Sequence, residues 1–194
     1  MKRLIILGLA IFSLTAVKAQ TKWNIDNVHS TVNFTVAHLV ISEVEGNFKT
    51  FTGTIDSPKA NFDGSKIEFT VDVKSINTEN EMRDTHLKSD DFFNSEKYPQ
   101  MVFKGVSFKK VSGNKYKLTG NLTIRDVTRS VTFDVTYGGT ANDGYGNTKA
   151  GFKASGVINR LDYGLKWNKL TETGGSVVGT DITISLRLEF AQAK

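Results

Sequence analysis

The chain has 194 residues, 39% of them hydrophobic and 23% charged, with a formal net charge of +5 at pH 7. Charges of both signs are scattered with no basic run, which gives no support to nucleic-acid binding. There is no cysteine, so neither disulfides nor thiolate metal ligands are available.

Residues 1–19 are expected to be a cleavable signal peptide. Lys2 and Arg3 form a basic start, Leu4 to Val17 is apolar, and VKA (17–19) puts small residues where a signal peptidase reads. The apolar run is short for a bilayer span. The expectation is export to the periplasm or beyond, leaving one domain, 20–194, that does not span a membrane. Cleavage removes Lys2, Arg3 and Lys18 and no acid, so the mature chain is closer to neutral.

The rest is dominated by alternation of period two. In NVHSTVNFTVAHLV (27–40), Val28, Val32, Phe34 and Val36 share a face with His38 beyond them, while His29, Thr31, Asn33 and Thr35 fall opposite. VEGNFKTFTGTI (44–55) follows, where Phe48 and Phe51 can both face inward only across a bulge. SKIEFTVDVKSI (65–76) aligns Ile67, Phe69, Val71 and Val73.

TENEMRDTHLKSDDFFNSEKYPQ (78–100) breaks the pattern. Thr78 with Glu81 reads as a capping box, and Met82/His86 and Arg83/Leu87 are i, i+4 neighbours. Ser89 caps a further turn carrying Phe92 and Phe93, and Pro99 returns the chain to strand. The segment reads as a lid or plug.

Five more strands follow: 100–111 with Phe103, 115–124 with Leu118, 127–137 with Phe133 and Val135, 149–160 with Phe152 and Ile158, and 180–190 with Ile184 and Leu186. Gly113-Asn114 and Arg125-Asp126 read as two-residue hairpin turns. Eight alternating strands most simply close into a barrel, which removes exposed edges. Such a barrel is just wide enough to be filled by side chains or to hold one slender ligand. Gly105, Ala150, Ala154 and Gly156 on the inward faces either leave a narrow channel or merely fit the taper. A membrane barrel is disfavoured, because Lys49, Glu68, Asp72, Lys104 and Arg187 are too charged to pack inside eight strands.

HSTVNFTVAHL, VEGNFKTFTGTI, RDTHLKSDDFFNSEKYPQMVFK, LTGNLTIRDVTRSVTF and INRLDYGLKWN occur in this order. Together they resemble the YceI-like family of polyisoprenoid-binding proteins across nearly all of the mature chain. The most specific motif is R-x-x-H-L-x-S-x-D-F, present as Arg83, His86, Leu87, Ser89, Asp91 and Phe92, followed by Lys97-Tyr98-Pro99. The resemblance implies an extended, lipocalin-like antiparallel barrel, and with the pattern above the expected fold is all-β, an eight-stranded antiparallel lipocalin-like β-barrel with one short helical excursion between strands 3 and 4. It also implies that the apolar interior holds an isoprenoid lipid, a polyprenyl chain or isoprenoid quinone, with no cofactor required, and that a homodimer is plausible.

The candidate ligand-binding residues are Phe34, Val36, His38, Phe48, Phe69, Val71, Met82, His86, Phe92, Phe103, Leu118, Phe133, Val135, Phe152, Ile158, Ile184 and Leu186. His38 interrupts an apolar lining where its ring can hydrogen-bond a quinone carbonyl or head group, or else a backbone carbonyl. The three histidines lack metal-ligand spacing, and there is no nucleophile motif, so neither a metal site nor a catalytic residue is expected. Arg129 and Arg160 share the inward parity. They are expected to snorkel outward or pair with an acid such as Asp162, the alternative being a phosphate or carbonyl at the mouth. The reading is a lipid-binding module. An enzyme using His38 and His86 on such a lipid, and a filled barrel acting as an interaction protein, stay open as alternatives.

Overall fold

The computed structural model describes residues 20–172 and 174–194, so the expected signal peptide lies outside the described residues. Three barrel walls are each broken in two. They are β1 (Thr21–Ile25) with β2 (Thr31–His38), β3 (Ser42–Phe48) with β4 (Phe51–Ser57), and β5 (Lys66–Asp72) with β6 (Ile76–Asn77). Five unbroken walls follow: β7 (Gln100–Ser112), β8 (Lys115–Ile124), β9 (Val127–Asn142), β10 (Thr148–Asn159) and β11 (Val178–Gln192). All pairings are antiparallel, and β11 closes the circle by pairing with both β2 and β1. The eight expected strands are these eight walls, with the apolar faces inside.

The three breaks fall side by side and bend the barrel at one corner. At the first, Asp26 Oδ1 accepts from the Val28 amide at 3.1 Å, a local turn that competes with strand. Val28 is therefore 87% exposed and does not belong to the inward stripe. The alternation of 27–40 also hid β1, whose Trp23 is buried. At the second break Phe48 and Phe51 are both buried, as their spacing required. The break is held from the third wall, where Ser75 Oγ accepts from the Thr50 amide at 3.0 Å.

Both two-residue hairpins form, with Ser112 paired to Lys115 and Ile124 to Val127. Gly113 and Arg125 carry the positive φ that such turns require. Between the third and fourth walls runs the single α-helix of the described residues, α1 (Glu81–Lys88). Its N-cap is Asn80, whose Oδ1 accepts from the Arg83 amide at 3.0 Å, and not Thr78 as the capping-box spacing suggested. Thr78 is buried and donates both its amide, at 2.9 Å, and its hydroxyl, at 2.6 Å, to Asp84 Oδ1. No described helix is long and apolar enough to cross a membrane.

Candidate functional site: an apolar cavity between a plug and a lid

One end of the barrel is shut by aromatic rings. The 58–65 loop turns back across the opening and buries Phe62 at 1% exposure, with φ of 63°. Its ring lies 5.2 Å from Trp23, 5.3 Å from Tyr137 and 5.1 Å from Phe152. The loop is strapped down: Tyr116 donates to the Asn61 carbonyl at 2.6 Å and Gly64 N–H to the Phe108 carbonyl at 2.8 Å. Sequence reasoning missed this plug. The available signal was a lone Phe inside the turn-rich stretch SPKANFDG.

Above the plug lies a cavity of about 200 Å³. Phe34, Val36, Phe48, Phe69, Val71, Phe103 and Leu118 line it, as do Phe133, Val135, Phe152, Ile158, Ile184 and Leu186. Space survives among so many rings because phenylalanines pack over glycines of the adjacent wall. A Cβ at Gly46 would stand 2.4 Å from Phe34 Cζ, one at Gly53 2.5 Å from Phe69 Cδ2, and one at Gly156 2.7 Å from Phe133 Cδ1. Glycine is what lets each ring settle against the wall instead of projecting toward the axis.

The other end is covered by α1, the 89–99 segment and the connection between β10 and β11. Leu87, Phe92, Phe93 and Leu165 point into the cavity from these covers. Phe93 packs edge-on against Phe48 of the wall, with ring centroids 6.0 Å apart. Arg125, in the β8–β9 turn, ties two covers together, donating from Nη1 to the Phe92 carbonyl at 3.1 Å and the Gly164 carbonyl at 3.2 Å.

Three candidates do not line the cavity. The buried bonds of Asp84 to Thr78 set the rotation of α1, which turns Leu87 inward and leaves Met82 84% exposed on the opposite side. His86 sits on the outer side of the lid. Its Nε2 is 2.9 Å from Asp91 Oδ2, and its ring meets Phe92 and Trp167 edge-on at 5.1 and 5.0 Å. Trp167 is thus a packing element of the lid. His38 ends β2 beyond Val36, where the pairing with β11 shifts register between Val178 and Ile182. The regular wall stops there, and among the described residues the His38 ring has no hydrogen-bond partner.

Arg160 neither snorkels nor pairs with Asp162. It opens the 3₁₀ turn after β10, is buried, and lines the cavity at the lid end. Its guanidinium donates to the carbonyls of Gly179 at 2.8 Å, Trp167 at 2.9 Å, Val178 at 3.2 Å and Leu165. Arg129 stays exposed.

On the outer wall, His29 is exposed, as its parity required, with Nδ1 3.2 Å from Asp26 Oδ2 and 3.7 Å from Glu189 Oε1. These three residues converge closely enough to hold an ion. Lys149 is already there, paired with Asp26 and 3.4 Å from Glu189. The hydrogen bond from Lys149 holds the Asp26 carboxyl down at about 2. The donor set is an internal ion-pair network that joins the β1–β2 break to β10 and β11.

The barrel of eight walls has counterparts among known domains. The YceI-like domain matches residues 23–190. The chain belongs to the YceI-like family. A UPF0312 protein of Staphylococcus epidermidis is 38% identical over 172 residues, covering 88% of this chain and 98% of that protein. The YceI protein of Campylobacter jejuni, solved as a crystal structure, is 37% identical with a TM-score of 0.68, over 81% of this chain and 90% of that one. A polyisoprenoid binding domain from Saccharophagus degradans shares the fold at 15% identity, with a TM-score of 0.64 over 88% of this chain and 98% of that one. The YceI-like match runs from β1 to β11, so the lid and the plug both lie within the matched residues.

Proposed function

We propose that this YceI-like protein is a binding module that holds one long isoprenoid chain, a polyprenyl lipid or isoprenoid quinone, in its barrel for carriage, storage or scavenging. The observation that carries the reading is the lining. Leu, Ile, Val and Phe side chains from all eight walls and the lid surround one cavity closed by an aromatic plug. An apolar, narrow space selects by width and length, since apolar contact is non-directional. Each sequestered methylene contributes about 0.8 kcal/mol, so ten buried carbons supply roughly 8 kcal/mol before ordering costs. The fold-sharing domain from Saccharophagus degradans is described as polyisoprenoid binding, which agrees with this ligand class.

Binding without catalysis is supported by the chemistry of the lining. Among the described residues, Arg160 is its one ionisable side chain, and acid–base work needs a group that gains and loses a proton near pH 7. His38 and His86, the candidates for an enzymatic reading, stand outside the lining. Export follows from the signal-peptide pattern of residues 1–19 and suits a carrier of lipids outside the cytoplasm.

Mass spectrometry of an organic extract of the purified protein tests the proposal. An isoprenoid lipid is the expected content. A barrel that is empty as purified and takes up neither polyprenols nor isoprenoid quinones contradicts it.

A further inference from the structure

The turn between β2 and β3 presents aliphatic side chains to solvent. Val40 is 75% exposed and Ile41 84%, and Leu39 before them is exposed as well. None of the three belongs to the core. Turn geometry does not ask for them either. The Ile41 N–H closes the turn on the His38 carbonyl at 3.2 Å, with Leu39 and Val40 both left-handed at φ of 53° and 67°. Asparagine and glycine adopt that conformation at little cost, whereas a β-branched valine is strained in it. Asn-Gly at these positions would remove the strain and the hydrated apolar surface together, so folding alone does not account for Leu-Val.

The turn stands at the lid end of the barrel. Leu39 N–H donates to the Val177 carbonyl at 3.0 Å, and Val177 N–H to the Lys169 carbonyl at 2.9 Å. These bonds fasten the turn to the β10–β11 connection, which is part of the lid. A Cβ at Gly175 of that connection would stand 3.4 Å from Val40 Cγ2. Leu170, bridged to Ser176, adds a fourth aliphatic side chain that is 71% exposed.

Four aliphatic side chains on a protruding tip fall far short of the ~800 Å² per partner that a stable protein interface buries, which argues against a second copy as the cover. A bilayer sets no such threshold, because apolar side chains enter below the headgroups a few at a time. The exposed charges of the flanking segments, Lys166, Lys169, Glu172 and Glu43, cancel, so entry does not depend on anionic lipid. We propose that this tip docks the protein on a lipid bilayer, with Leu39, Val40, Ile41 and Leu170 inserted and the lid end of the cavity turned toward the membrane. The docking rests on the carrier reading only for its use, the passage of an isoprenoid chain between bilayer and barrel without crossing water.

Co-sedimentation of the mature protein with sucrose-loaded phosphatidylcholine vesicles tests the docking. Wild-type protein is expected to pellet with the vesicles. Leu39→Asn/Val40→Gly/Ile41→Thr is expected to lose association by about tenfold or more, since a single aliphatic side chain buried on insertion contributes about that factor. The substitutions suit the turn, so the urea midpoint is expected to hold or rise, which separates lost docking from lost fold. Ile41→Asp leaves both strained positions untouched and is expected to weaken association in the same direction. None of these side chains lines the cavity. Farnesol binding in solution, followed by displacement of a fluorescent lipid, is therefore expected to match wild type within about twofold. Wild-type protein that stays in the supernatant, or variants that pellet as fully as wild type, overturn the inference, while farnesol binding leaves the carrier reading intact. A wild-type dimer that the triple variant dissociates, without vesicle association, assigns the tip to a second copy and overturns the inference too. Vesicle association without farnesol binding supports the docking and counts against the carrier reading alone.

Discussion

The ring of Phe69 on β5 lies over Gly53, its cross-strand partner on β4, so closely that a Cβ at Gly53 would stand 2.5 Å from Phe69 Cδ2. Phe34 stands in the same relation to its partner Gly46. Pairing the largest apolar side chain with the smallest across a wall keeps the ring at the perimeter. The barrel thus combines an aromatic lining with an open bore. Of the small residues expected on the inward faces, Gly156 stands in this relation to Phe133, whereas Gly105 faces Ile67.

Gly53→Ala is expected to push the Phe69 ring off the wall and narrow the cavity. The nearest atoms are side-chain atoms, so the cost is overpacking, about 1–3 kcal/mol in denaturant unfolding, with weaker uptake of a polyprenol. Adding Phe69→Leu to the glycine change is expected to restore uptake. Equal uptake by wild type and Gly53→Ala would show that this ring does not set the bore.

Phe62→Ala removes the central ring of the plug, which touches Trp23, Tyr137 and Phe152. Expected results are a loss of roughly 3–5 kcal/mol of stability and a cavity that opens to solvent at the plug end. Lipid release measured by stopped-flow fluorescence should quicken. Release unchanged in a folded variant argues that the plug has no part in retention.

Arg125 clamps two lid segments from a turn position with φ of 57°. Arg125→Asn tests the clamp without adding backbone strain, because asparagine tolerates this conformation. Amide exchange in 89–99 and 160–165 is expected to accelerate, with little change in the walls. Met82→Ser, at an exposed site on α1, should alter stability by no more than about 0.5 kcal/mol.

Asp26 titrates at about 2 because Lys149 hydrogen-bonds its charged form. The unfolded carboxyl titrates near 3.8, so the folded state binds this proton less readily. The pair therefore contributes its full stabilisation above pH ~4 and loses it as pH falls toward 2, on the order of 1–2 kcal/mol at this partly solvated site. Asp26→Asn is expected to lower the unfolding free energy by that amount at pH 7. The difference from wild type should shrink steadily between pH 4 and pH 2. A constant difference over that range would separate the effect from the Asp26 charge.

Alternation made the eight walls and most of the lining readable, because in a closed sheet one parity must face the core. Phe103, Phe133 and Ile184 illustrate this directly. Parity fails where the backbone leaves the strand. Val28 followed the apolar stripe yet is exposed, since the Asp26 carboxylate offers the chain a turn that periodicity does not register. Helical spacing grouped Met82 with His86 but could not give the rotation of α1, which a buried contact from Asp84 to Thr78 decides. Arg160 was placed on the correct parity, but expected to snorkel or find an acid. Its partners are main-chain carbonyls of the β10–β11 connection and of the start of β11, which carry no sequence signature for it. Phe62 and Leu165 escaped for a related reason, as their burial depends on loops folding back over the barrel ends.

The central claim is that the barrel sequesters one long isoprenoid chain. Native mass spectrometry of the mature protein after incubation with a polyprenol tests it most directly, because the mass added gives both ligand and stoichiometry. One lipid per barrel is expected, with Gly53→Ala taking up less under the same conditions. Wild-type spectra showing only the bare polypeptide, at polyprenol concentrations well above those of the protein, would contradict the account.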